Sequence, residues 1–447
     1  MKKAFIFLGI AAVILIGIGL VHAEGNTHSC KVCGMYIEAF KDTSAVLEYK
    51  DGRHAETCGV ACMLRLINDE GGPDAFSSIK VHDWHTKQLL DADKATYVIG
   101  SRVVPDMIPN IIAFADQKGA EQFRTTEGGA LLSFTQALLS ISPMGMTMPA
   151  RIKTAVLPPK GVFSAGIGYM KMEMDKVKLD TDSADPAEFV GRPMQMMGPK
   201  KMESSGEMLM AGYAFTDDLT VNVTIPYLEK KMEMYTMSGK AFTTSKNDGL
   251  GDIEVNGRYS LWKNEFYSKF LSVLVGTTLP TGDFDIQYLA SPGMQLGTGN
   301  FSATAGLLFS NRIKDFWFHY MAGYRLNIEN SDDYRFGDVA GFGAAAHYTP
   351  NYNLMLGLEV DGKHYAKNEN QGKDVDNTGG FRSYVTGIVN WKFLTAMGGN
   401  FSIRLAGGVP IYENLNHYTI GSMEKVQLGG GYFANVMLSF KRRFPAF

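Results

Sequence analysis

Cysteine is scarce, with four residues in 447, and so is tryptophan, also with four. Acid and base nearly cancel, leaving a formal net charge of -3 and an isoelectric point near 6.3. That balance gives no bulk attraction to nucleic acid. So few cysteines exclude a disulfide-dense scaffold, and any thiol chemistry rests on Cys30, Cys33, Cys58 and Cys62 alone. There is one long apolar run, at the N-terminus, and no second run that could cross a bilayer as a helix. A Ser-His-Asp arrangement, a phosphate-binding loop and carboxylates paired for acid–base work are also missing, so catalysis is not expected.

The single apolar run follows two lysines and ends in Val21-His22-Ala23. It reads as a signal peptide over residues 1–23, cut after Ala23, with a retained membrane anchor as the alternative. No cysteine follows closely enough to carry a lipid. The chain is therefore expected outside the cytosol, where disulfides persist. Its other end, "VMLSFKRRFPAF", closes on Phe447, an aromatic terminus of the kind outer-membrane barrels commonly present.

What is abundant is glycine (49), methionine (25) and aromatic residues (11%), at an ordinary mean hydropathy of -0.08. This suits a β-rich chain, whose signal per strand is faint. The pattern changes near Pro143–Pro159. Before it, strands and helices mix ("CMLRLIND", "NIIAFADQKGAEQF"); after it, helical periodicity stops. The expected architecture is two-domain: a small α+β domain over 24–142, a Pro- and Met-rich linker over 143–160, and an all-β antiparallel outer-membrane barrel over 161–447. About twelve alternating segments are counted, from "GVFSAGIGYMKMEM" to "MEKVQLGGGYFANVMLSF". Short turns alternate with long loops, as in membrane barrels; a soluble β-sandwich or solenoid is the competing arrangement.

Several barrel segments, "GDIEVNGRYSLW", "LPTGDF", "SPGMQLGTGNFSATAGLLFSN", "YRFGD" and "GVPIYENLN", occur over residues 250 to 440. Together they resemble the outer-membrane family of the MetA-pathway of phenol degradation. That resemblance implies an outer-membrane barrel surrounded by lipid and says little about what passes through it.

Alternation along the first three strands turns Phe163, Ala165, Ile167 and Tyr169 toward lipid, with Leu209, Ala211, Val221 and Val223. The opposite, lumen-facing set holds Met170, Met172, Met174, Met208, Met210, Met232 and Met234. Met194, Met196, Met197 and Met202 in the first long loop are expected at the mouth. Methionine fills irregular gaps well, and it also selects soft ions such as Cu(I), so a packed interior and a thioether-lined route both remain open.

The cysteines fall as CxxC (Cys30, Cys33) and CxxxC (Cys58, Cys62), separated by a hairpin with "KDGR" at its turn. A redox pair of the thioredoxin kind needs a strand-to-helix frame that is not present. Zinc held by four thiolates and two disulfides in any of three connectivities both fit the spacing. Met35 and Met107 add thioethers and favour Cu(I). His28, His54, His82 and His85 are further donors, each better suited to a solvated surface.

"CKVCGMYI", "DGRHAETCGVACML", "VHDW", "DADKATYVIGS", "NIIAFADQKGAEQF" and "GGALLSF" occur in the order of NosL-like proteins, over residues 26 to 140. This resemblance implies a periplasmic Cu(I)-binding domain of the kind associated with copper supply to nitrous oxide reductase. It assigns Cys30, Cys33, Met35, Cys58 and Met107 as ligands. Three departures are an absent lipid-anchor cysteine, the additional Cys62, and "PDMIP" around Met107. The combined expectation is copper handling at the outer membrane, with zinc as the alternative metal and a periplasmic copper protein as partner. Two alternatives stand beside it. In one, the barrel transports a small organic molecule and the first domain is structural or regulatory. In the other, the protein passes copper to a partner and the barrel is only an anchor.

Overall fold

A computed structural model describes residues 29–141, 148–193, 195–236, 239, 241–285, 291–397, 399–421 and 423–444. The expected signal peptide, His28, Met194 and Phe447 lie outside them. The chain divides into two compact units at Phe134/Thr135. Among the described residues no helix is long and apolar enough to cross a membrane.

The first unit contains two small antiparallel sheets. One joins β1 (Ala45–Tyr49), β2 (His54–Thr57), β3 (Phe76–His82) and β4 (Leu89–Asp91) in the order β2-β1-β3-β4. The other joins β5 (Thr96–Ile99), β6 (Ile111–Phe114) and β7 (Ala130–Leu132) in the order β6-β5-β7. Helix α1 (Val60–Asp69) buries Val60, Met63, Leu64 and Ile67 on its apolar stripe. Helix α2 (Gln117–Glu127) starts at Asp116, whose side chain accepts from the Gly119 N–H at 2.7 Å. It packs Ala120 and Phe123 onto Val98, Ile112 and Phe114. The turn between β1 and β2 is the expected one, with Gly52 at φ +86°.

The second unit is a closed antiparallel barrel of twelve strands. These are β8 (Val162–Met174), β9 (Gly198–Thr216), β10 (Leu219–Thr236), β11 (Ile253–Lys263), β12 (Lys269–Leu279) and β13 (Ser302–Ile313). They continue with β14 (Phe316–Asn327), β15 (Val339–Tyr348), β16 (Leu354–Tyr365), β17 (Gly380–Ala396), β18 (Gly399–Leu415) and β19 (Tyr432–Arg443). Each pairs with the next, and β19 pairs back onto β8 from Tyr432↔Glu173 to Arg443↔Val162, which closes the barrel. Alternation sorts the faces. On β16, Leu356, Leu358 and Val360 are exposed while Met355, Glu359 and Asp361 are buried. On β14, Phe316, Tyr320 and Tyr324 face out, and Trp317 and His319 face in. Outward aromatics gather by the short turns (Phe215, Trp262, Phe316, Tyr348, Trp391), as an interfacial girdle requires.

Two strand limits differ from the sequence reading. Strand β9 begins nine residues before "EMLMAGYAF", because its polar extension forms ion pairs: Lys200–Glu233 at 2.8 Å and Lys201–Glu173 at 3.1 Å. Strand β19 begins at Tyr432, not Met423. Gly430 and Gly431, at φ +71° and +69°, turn the chain there, and a Cβ on Gly431 would sit 2.0 Å from the Glu173 carbonyl oxygen.

Part of the Pro- and Met-rich stretch expected as a linker lies inside the barrel. The N–H groups of Ala150 and Arg151 donate to Glu359 at 2.7 and 2.9 Å, and Arg151 pairs with Asp361 at 2.5 Å. Thr154 and Ala155 bond to Ser310, Ser272 donates to the Ala155 oxygen, and Arg404 donates to the Pro149 oxygen. These partners lie on the inner faces of strands all around the wall, so residues 149–155 run within it. Ile152 fits over Gly343, where a Cβ would be 2.4 Å from its methyl group.

Candidate metal centre

Three pieces of backbone bring the cysteines together. Residues 29–36 fold into a knuckle: Cys30 N–H donates to the Met35 oxygen (2.7 Å), Gly34 N–H to the Cys30 oxygen (2.9 Å), and Gly34 takes φ +77°. Lys31 N–H ties the knuckle to Glu56 on β2. Cys58 follows β2 and Cys62 sits four residues on, in the first turns of α1, so both point to one side. Thr43 holds the Cys58 carbonyl at 3.1 Å. The third piece is the loop 101–110, clamped by Asn110, whose amide donates to the Ser101 and Val103 oxygens at 2.7 and 2.6 Å.

All four sulfurs lie within 4.8 Å of one another. Cys33 Sγ is 3.5 Å from Cys58 Sγ, which is 3.6 Å from Cys62 Sγ. These separations are contacts, far beyond the ~2.05 Å of a disulfide bond, and the four cysteines are free. Met107 Sδ lies 3.4 Å from Cys62 Sγ, and Met35 packs against the same cluster. Cys62, the residue that departs from the NosL-like pattern, thus sits between Cys58 and Met107.

Bonds from Cys58 and Cys62 hold the Cys30 thiol far below its ordinary value, while the same contacts and burial hold Cys58 and Cys62 well above theirs. The cluster therefore ionises readily once and resists further ionisation until a cation compensates the charge. Asp106, which the sequence reading passed over, lies buried beside it, and burial pushes it up to about 6 against the pull of the Met107 N–H. Its one sequence signal was the Pro-flanked "PDMIP". Of the candidate histidines, His82 bonds to the Ser44 oxygen and His85 packs on Phe114, while His54 is exposed; none of these three joins the cluster.

The donor set fits a soft metal: four sulfurs that can lose protons, a thioether in contact, and a site almost closed to water, with Cys58 and Cys62 fully buried.

The barrel methionines separate into two environments. Register puts Met208 and Met210 opposite Gly168 and Gly166, on one face with Met170, Met172 and Met174. Met232 pairs with Met202 on the next strand, and Met234 shares that face. Met174 and Met202, with Met172 and Met232 against them, are packed around Phe189, Val177, Val190 and Leu428 from the long loops. That cluster is a dry core rather than an open route. Met210 instead lines a cavity. Of the methionines expected at the mouth, Met196 and Met197 are exposed and Met202 is in the core, while Met194 lies outside the described residues.

Residues 22–139 match the NosL family model, and residues 207–409 match the one described as "Putative MetA-pathway of phenol degradation". No curated protein matches the chain. Among solved structures, the chain is similar to an outer membrane channel from Pseudomonas putida F1 (13% identity, 66% of this chain and 100% of that one, TM-score 0.48). It is similar in its first part to the copper chaperone NosL from Shewanella denitrificans (26% identity, 26% and 92%, TM-score 0.23). A Pseudomonas aeruginosa FadL homologue is more distant in sequence (9% identity, 65% and 92%, TM-score 0.33).

Proposed function

We propose that the protein handles Cu(I) at the outer membrane, through a NosL-like domain that binds the ion and an outer-membrane channel barrel that holds this domain at the membrane. The observation that carries the reading is the contact of Met107 Sδ with Cys62 Sγ at 3.4 Å, inside a group of four free thiols. A thioether adds nothing for zinc, which takes thiolates and imidazoles, but it is a good donor to Cu(I). Cys30, Cys33, Cys58 and Cys62 would bind the ion, with Met107 and Met35 at its side. Binding would drive off the thiol protons that Cys58 and Cys62 retain.

The NosL-like domain belongs in the periplasm on this reading. Short turns face the periplasm in outer-membrane barrels. The chain enters β8 from that end, and Gln136 bonds there to Arg312 and Asp315. Cu(I) would pass to a periplasmic copper protein. The second reading, transport of a small organic molecule, is favoured by the cavity inside the barrel wall.

The test is Cu(I) and Zn(II) binding by the reduced full-length protein in detergent, beside the Cys30→Ser/Cys33→Ser double variant. Tighter binding of Cu(I) than Zn(II), lost in the variant, is expected. Unchanged Cu(I) affinity in the variant removes these residues from the site.

A further inference from the structure

The cavity in the barrel has a volume of about 220 Å³ and lies toward the short-turn end, between the inserted segment and β8–β11. Four cationic side chains line it: Lys153 from the segment, Arg258 from β11, Arg404 from β18 and Lys441 from β19. No carboxylate lines it, and none of the four is within ion-pair distance of one among the described residues; Glu254 attracts Lys153 only from longer range. Arg258 is engaged on one side, by the Thr154 and Val156 oxygens.

Two further polar groups at the cavity lack partners. Thr220 is 2% exposed and its hydroxyl bonds to nothing among the described residues; Arg404 is 7% exposed and its Nε is likewise unpaired. The rest of the lining mixes Met210, Met437 and Leu274 with these donors.

We infer that this chamber binds a small organic carboxylate. Its carboxylate would be held by Lys153 and Lys441, and an apolar body would lie against Met210 and Met437. The volume is that of roughly seven waters, so the ligand has on the order of ten heavy atoms or fewer. Four cations with no carboxylate in the lining repel a bare Cu⁺ ion, although Glu254 and Glu359 act on Lys153 and Arg404 from outside it, so the same chamber is no path for the free metal. This inference stands apart from the cysteine site and holds or fails independently of it.

Calorimetric titration of the full-length protein in non-ionic detergent with sodium benzoate tests it. Benzyl alcohol serves as the neutral counterpart, and Lys153→Gln/Lys441→Gln as the variant. Neither lysine makes a hydrogen bond that the fold depends on, and an unaltered heat-dependent gel shift would verify the variant's barrel. Saturable benzoate binding is expected, weakened about tenfold or more in the variant, with no comparable binding of benzyl alcohol. The inference is overturned by absent benzoate binding, by equal binding of the alcohol, or by an unaffected variant. Displacement of benzoate by equimolar chloride would also overturn it, because it would reveal a site for bare charge.

Discussion

Gly59 lies at the junction of β2 and α1 with φ -178° and ψ -179°, a conformation open to any residue. Its requirement for glycine is steric. A Cβ there would stand 1.4 Å from Asp106 Oδ2 and 2.4 Å from its Cγ, where contacts below 3.0 Å do not persist. Gly59→Ala must therefore push the Asp106 carboxyl outward, and the peptide that follows carries Met107, whose sulfur touches Cys62 at 3.4 Å. Overpacking of this kind costs about 1–3 kcal/mol in stability. For the metal, disturbing a group that positions a ligand lowers affinity about 10- to 100-fold. Competition against a chromogenic Cu(I) chelator, with reduced full-length protein, measures this. Met107→Leu should give a similar loss, and the double variant should lose little more than either single one, since both act through one sulfur. If Gly59→Ala leaves Cu(I) affinity intact while Met107→Leu reduces it, the steric chain from Gly59 to the thioether is refuted.

Two other perturbations address the frame. Burial alone would raise the Asp83 pKa, but bonds from Thr86 N–H, Thr86 Oγ1 and Ala115 N–H, at 2.7 to 2.8 Å, outweigh it and the pKa is lowered. The stability that these bonds contribute is full above the unfolded carboxylate pKa, near ~3.9, and is lost as pH falls through the folded one. Asp83→Asn should therefore cost about 1–3 kcal/mol at neutral pH and flatten the acid limb of a pH–stability curve followed by circular dichroism; an unchanged acid limb counts against Asp83 as its source. In the barrel, Glu359→Ala/Asp361→Ala removes the acceptors of Ala150, Arg151 and the Arg151 guanidinium. Planar-bilayer conductance should rise as the segment loosens, and equal conductance would argue that it does not obstruct the lumen.

Much of this was legible in the chain because its signals are local. Period-two alternation on β14 or β16 is written in consecutive residues, and so is the CxxC knuckle with Gly34. The inserted segment was not legible: "MPARIKTAVLPPK" has no periodicity of its own, and its partners, from Ser272 to Arg404, are over a hundred residues away. Asp106 and Gly59 escaped for the same reason, since their relation is a contact between two loops. Register puts Met170, Met172, Met174, Met208 and Met210 on one face, and only the loop residues Phe189 and Leu428 decide that Met174 and Met202 are packed. Loop packing leaves no period to read.

The inserted segment also bears on how the barrel is assembled. Residues 149–155 are synthesised before every strand of the wall, yet their acceptors and donors belong to β12, β13, β16 and β18. Arg258 of β11 and His319 of β14 bond to Thr154 as well. Until these strands are in place the segment has nothing to bind, and its contacts are among the most distant in sequence that the chain makes, which makes them late and slow to form. Because the partners sit on strands from β11 to β18, the whole set of bonds can be made together only once the sheet has curled round the segment. The segment thus acts as an internal strut that favours the sealed cylinder over an open, curled sheet, and weakening it should show first as slower sealing of the seam between β8 and β19.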